Sequence, residues 1–63
     1  MDLFNMVFSG KRYECKTEDG RDVWAHELVN KEEHYFVMYP TGKQKGDKDI
    51  VHRDQLRHLK LRK

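Results

Sequence analysis

Residues 12 to 29, Arg-Tyr-Glu-Cys-Lys-Thr-Glu-Asp-Gly-Arg-Asp-Val-Trp-Ala-His-Glu-Leu-Val, read as two strands joined at Asp19-Gly20, the dipeptide best suited to a two-residue hairpin turn. Such a turn fixes a register. It places Glu18 opposite Arg21, Cys15 opposite Trp24, Tyr13 opposite His26 and Arg12 opposite Glu27. Two of those pairs join opposite charges, each contributing about 0.2–1 kcal/mol, which favours this pairing over one displaced by a residue. A helix from Val23 onward, with Trp24, Leu28 and Tyr35 on one face, is the competing reading. Asn30 interrupts it, and the aromatic and β-branched flanks favour strand.

Beyond the hairpin, Asn30-Lys31-Glu32-Glu33 is a polar turn and His34 to Tyr39 the clearest strand, stopped by Pro40. A four-residue turn brings Leu28 to Tyr35, His26 to Val37 and Trp24 to Tyr39. That gathers Tyr13, Cys15, Trp24, Leu28, Tyr35, Val37 and Tyr39 on one core face. A five-residue turn would swing Phe36 and Met38 inward instead. Either way apolar groups remain on the second face, to be covered by Leu3, Phe4, Met6, Val7 and Phe8 or by another chain. This argues for a closed barrel or a homodimer burying Phe4, Phe8 or Phe36.

The stretch from Pro40 to Asp49 is a long loop whose glycines and lysines suggest mobility and positive charge. Ile50-Val51 resume a strand, and His52 to Gln55 have turn character. Leu56, Leu59 and Leu61 then fit either a final strand or a helical turn with Asp54 as N-cap. The expected fold is mainly β: one SH3-like small barrel, or a strongly bent antiparallel sheet of four to five strands, with a short helical turn near residues 53–57. Residues 1–63 form a single domain, with 1–10 as a covering N-terminal segment and 60–63 as a basic tail.

A chain of 63 residues buries only about 60% of the surface it exposes when unfolded, so its stability is marginal or shared with a partner. The single cysteine, Cys15, excludes an internal disulfide and favours a reducing cytoplasm. Residues 1 to 10 lack the basic and long apolar regions of a signal peptide. No apolar run approaches the roughly 20 residues of a membrane helix. These features set the expectation of a cytoplasmic protein with no membrane association.

The hairpin, the aromatic third strand and the closing stretch Ile50-Val51-His-Arg-Asp54-Gln55-Leu56-Arg-His-Leu59 resemble the SH3-like small barrels, including Tudor-type and KOW-type modules. In those folds a short helical turn joins the last two strands, and Asp54 to Leu56 would occupy it. The resemblance spans about residues 11 to 61 and implies a binding module rather than an enzyme.

Charge is unevenly divided along the chain. Residues 1 to 33 carry five basic and eight acidic side chains, whereas residues 34 to 63 carry eight basic and three acidic. The C-terminal run concentrates Arg53, Arg57, Lys60, Arg62 and Lys63, and the preceding loop adds Lys43, Lys45 and Lys48. Such a cluster neutralises phosphates and releases counterions. Phe36 and Tyr39 are the candidate stacking rings for bases, each such contact being worth about 1–3 kcal/mol. The competing interpretation is a solvated basic tail and a purely structural set of rings.

No catalytic constellation, metal-ligand spacing or cofactor motif stands out. Cys15, His26, His34, His52 and His58 include no Cys-x-x-Cys and no His-x-x-x-His. Gly42-Lys43 lacks the Ser or Thr of a phosphate loop. Cys15 reads as a small buried hydrophobe, with no base beside it. The sequence thus points to a non-catalytic binding module, nucleic acid being the favoured partner. The alternative is a protein partner, the chain then acting as an inhibitor or accessory subunit of mobile-element origin.

Overall fold

The chain reverses at Asp19-Gly20, but over three residues rather than two. In the computed structural model, which describes residues 6–63, β1 (Phe8–Thr17) and β2 (Asp22–Leu28) are antiparallel. Thr17 and Arg21 close the turn, with the Thr17 N–H donating to the Arg21 carbonyl at 2.9 Å and the Gly20 N–H to the Thr17 carbonyl at 3.0 Å. Gly20 has φ of 88°, so the left-handed residue comes last, as in a type I turn with a bulge. A two-residue type I′ turn would need that conformation at Asp19 too, which costs a side chain energy that glycine escapes. The Thr17 hydroxyl, which donates to the Asp19 carboxylate and accepts from the Arg21 N–H at 3.1 Å, seals the longer turn.

The pairing is therefore displaced by one residue from the expected register. Cys15 stands opposite Val23, Tyr13 opposite Ala25, Glu14 opposite Trp24 and Arg12 opposite His26. The anticipated Glu18–Arg21 and Arg12–Glu27 pairs give way to Lys16–Asp22, at 2.7 Å. Trp24 accordingly leaves the core face and Val23 and Ala25 enter it, exposed by only 2% and 0%.

The second turn also differs by one. Between β2 and β3 (His34–Met38), Ala25 pairs with Val37 and Glu27 with Tyr35, leaving residues 29–33 as a five-residue loop. Taken alone, this longer turn would carry Phe36 and Met38 inward. Because β2 has already been turned over, the two displacements cancel for β3. Tyr35 and Val37 stay inside and only β2 changes face.

Two further strands complete a five-stranded sheet in the order β4-β3-β2-β1-β5. β4 (Ile50–His52) follows the long loop, the 3-10 turn Arg53–Gln55 follows β4, and β5 (Leu56–Leu61) returns beside β1. The stretch after residue 55 is thus strand, and the helical turn is confined to three residues. Its N-cap is His52 rather than Asp54: His52 Nδ1 accepts the Asp54 N–H at 3.1 Å and Gln55 Oε1 accepts the His52 N–H at 3.0 Å. Irregularities in β1, where Gly10 has φ of 91°, and in β5, where His58 has φ of 58°, accompany the register shifts. The bent, open sheet is the architecture formed; β4 and β5 remain its two edges, and no β4–β5 ladder closes it into a barrel.

Cys15, Val23, Ala25, Tyr35, Val37, Val51 and Leu56 form the core, with Tyr13, Tyr39 and Leu59 packed against it. Leu28 is also buried, whereas Leu61 is exposed. Of the N-terminal cover, Leu3 and Phe4 lie outside the described residues. Val7 and Phe8 are about half exposed, and Val7 is tied to the β2–β3 loop by the Val29 N–H on its carbonyl at 2.8 Å. Among the described residues no helix is long and apolar enough to cross a membrane.

Burial pushes the Cys15 thiol from 9.0 up to about 11. The unfolded chain therefore loses this proton first, so stability falls as pH rises from about 9 to about 11. The loss of stability across that interval should be shallower in Cys15→Ala, and a thiol reagent at pH 8 should label the wild type only as fast as it unfolds.

Candidate nucleic-acid interface

Strand alternation and the observed register define what the outer face of the sheet carries. One row across the strands reads Arg62, Arg12, His26, Phe36 and Ile50; the next reads Lys60, Glu14, Trp24 and Met38. Arg62 joins the first row because its N–H donates to the Arg12 carbonyl at 2.8 Å. Cations thus occupy the β5 and β1 side of the face, and rings the β2 and β3 side.

The rings are partly open to solvent. Phe8 is 49% exposed and packs edge-on against both His26 and Phe36, at 6.0 Å between centroids in each case. Trp24 and Phe36 are of intermediate exposure. The Arg12 guanidinium lies over the Trp24 ring, 4.4 Å from its centroid, a contact that holds both planes in place. Burial, and secondarily the Arg12 charge, lower the pKa of His26, so its ring is neutral at pH 7. Arg62 places Nη2 2.8 Å and Nε 3.0 Å from Glu14 Oε1. Glu14 is thus the one carboxylate standing among these cations in the two rows.

Among the basic residues expected from sequence, two groups stand apart. Lys60 and Arg62 stand on the outer face. Lys43, Lys45 and Lys48 belong to the β3–β4 loop, which docks on the β1–β2 turn. Its clasp is Arg21, whose Nη1 and Nη2 reach Asp47 at 2.8 and 2.6 Å, while the Gln44 N–H donates to Asp47 at 2.7 Å. The Tyr39 hydroxyl donates to the Lys48 carbonyl at 2.7 Å. The loop is anchored rather than free.

Lys43 is paired with Asp49 at 2.8 Å and Arg57 lies 3.6 Å from Glu18. Lys45, Lys48, Arg53, Lys60 and Lys63 make no ion pair among the described residues. In the basic segment 60–63, Lys60 and Leu61 end β5 and the Lys63 carbonyl accepts the Arg12 N–H at 3.3 Å. Phe36 lies on the outer face as a stacking ring would. Tyr39 does not join it: the ring packs on the core beneath the Arg21 guanidinium, 5.4 Å from its centroid.

Hydrogen bonds from Arg21 hold the Asp47 carboxyl down at about 2, from 3.8. A lowered folded-state value stabilises the fold above the unfolded value and ceases to do so as pH falls through the folded one. The protection factors of the hydrogen-bonded amides of Gly42, Gln44 and Asp47 should therefore fall between about pH 4 and pH 2. Asp47→Asn should show fast exchange there already at neutral pH.

Sequence reasoning did not place Arg12, Trp24 and His26 together on the outer face. The Thr-x-Asp-Gly pattern at 17–20, which favours the three-residue turn, was the signal that could have placed them. Among the described residues no cluster of three or more His, Cys, Asp or Glu is set to hold a metal ion. Fold and face together define a small all-β domain with a mixed aromatic and cationic surface. No protein-family model, no curated protein and no solved structure matches the chain.

Proposed function

We propose that this chain is a non-catalytic module that binds single-stranded nucleic acid across the outer face of its sheet. The observation that carries the reading is the register, which sets Arg12, Lys60 and Arg62 beside Trp24, His26 and Phe36 on one surface. Cations neutralise the backbone while bases stack on rings and on the guanidinium plane, a combination tolerant of sequence. Four inter-strand gaps span about 19 Å, room for at most about five nucleotides at 3.4 Å or more apiece. The 3-10 turn joining the last two strands supports an SH3-like kinship, whose members are more often binding modules than enzymes.

Trp24 is the only tryptophan, so its fluorescence reports directly on the face. Titration with a short oligothymidylate at low salt should quench it, with affinity falling steeply as salt rises. A flat titration at low salt would dispose of the reading. A second reading, a protein partner or a second copy, is favoured by the half-exposed Val7, Phe8, Val29 and Met38. Sedimentation of a species heavier than 7.7 kDa that no longer binds the oligonucleotide would favour that reading instead.

A further inference from the structure

On the β3–β4 side of the molecule lies a shallow groove of about 620 Å³, lined among others by Lys31, His34, Lys48, His52 and Gln55. Both carboxylates on its wall are already neutralised. Asp47 is held by both terminal nitrogens of Arg21, and Asp49 receives Lys43 at 2.8 Å. Lys31 and Lys48 make no ion pair among the described residues, so the groove keeps two uncompensated cations. Neither hangs from a loose backbone: the Lys31 carbonyl accepts the His34 N–H at 3.2 Å, and the Lys48 carbonyl accepts the Tyr39 hydroxyl at 2.7 Å.

Two further donors complete the wall. His52 Nδ1 accepts the Asp54 N–H at 3.1 Å, which places the proton of the neutral ring on Nε2. The nearest carboxylate to that nitrogen, Glu33, is 3.4 Å away and largely exposed. Gln55 uses its carbonyl oxygen on the His52 N–H at 3.0 Å and so offers its NH2. The His34 ring, whose Nδ1 donates to the Glu32 carbonyl at 2.7 Å, packs edge-on to His52 at 5.2 Å.

We infer that this groove is a phosphate-binding subsite, with Lys31 and Lys48 as the charges and His52 and Gln55 as further hydrogen-bond donors. An anion bound there accepts charge-assisted hydrogen bonds from Lys31 and Lys48 without displacing an ion pair of either lysine. The inference extends the nucleic-acid reading, which supplies the source of the phosphate. That source is either a 5′-terminal phosphomonoester or an internal phosphodiester of a strand lying on the neighbouring face, to which His34, Ile50 and His52 belong by alternation.

The test follows the His34 and His52 ring resonances during titration with inorganic phosphate, against chloride at matched ionic strength. Both rings should shift saturably with phosphate only. The Lys31→Ala, Lys48→Ala double variant, confirmed as folded by its amide spectrum, should bind at least fivefold more weakly. Shifts equal in chloride, or unchanged in the double variant, would overturn the inference. Oligonucleotides with and without a 5′-phosphate separate the sources, since a terminal subsite predicts about tenfold tighter binding of the phosphorylated strand and an internal one equal binding. Phosphate binding with no oligonucleotide binding would leave the subsite standing and remove the nucleic-acid reading. Oligonucleotide binding with a silent groove would do the reverse.

Discussion

Val37→Asp is expected to leave the chain unfolded at 25 °C, whereas Phe36→Asp, one residue away, is expected to fold. Val37 is 2% exposed and sits in the core against Ala25 and Val51. An unpaired carboxylate there costs several kcal/mol. A domain of this size has only about 3–9 kcal/mol in total, so the penalty is comparable to everything that holds it together. Phe36 faces outward, where its edge-on contact with Phe8 is worth about 0.5–1.5 kcal/mol and a carboxylate remains hydrated. Far-ultraviolet circular dichroism and an amide spectrum read both outcomes. Folded Val37→Asp with unfolded Phe36→Asp would mean that β3 is turned over, and the interface with it.

The largest functional effect is expected from Arg12→Ala, Lys60→Ala and Arg62→Ala combined. Each contact with a single strand adds about 0.7 to the slope of log K against log salt, so losing three lowers that slope by about 2 and the affinity about 100-fold at 50 mM salt. All three are exposed, and the sheet beneath them should persist. Glu14→Gln is the control of opposite sign. It frees Arg62 from its carboxylate partner and should tighten binding severalfold. A triple variant with unchanged slope would place the binding elsewhere on the molecule.

The strands themselves were legible because the apolar alternation from Tyr13 to Cys15 and from Tyr35 to Val37 survives any choice of turn length. The face of β2 was not. Glu18-Asp19-Gly20 satisfies a two- or a three-residue turn, and in a chain with 38% charged residues either register finds opposite-charge partners. Lys16–Asp22 replaces Glu18–Arg21 at little energetic difference, so pairs of this strength do not discriminate. The hydroxyl of Thr17 and the φ of Asp19 decide the matter, and through them Trp24 goes outward.

The docking of the lysine loop was not legible for a related reason. Its glycines and charges describe a free segment, but Arg21 and Asp47 are 26 residues apart, and a contact at that separation is set by the fold. That the sheet stays open between β4 and β5 is likewise a property of the tertiary fold rather than of any local pattern. What composition did convey was the excess of positive charge toward the C-terminus. It did not convey that Lys60 and Arg62 would lie beside Arg12, from the acidic half of the chain.

The most direct measurement is a residue-resolved chemical-shift map of the ¹⁵N-labelled chain with a short single-stranded oligonucleotide at low salt. The account predicts shifts concentrated at Arg12, Trp24, His26, Phe36, Lys60 and Arg62, with the core residues Val23, Ala25 and Val37 moving little. Shifts absent from that set, or centred on the inward-facing residues, would contradict it.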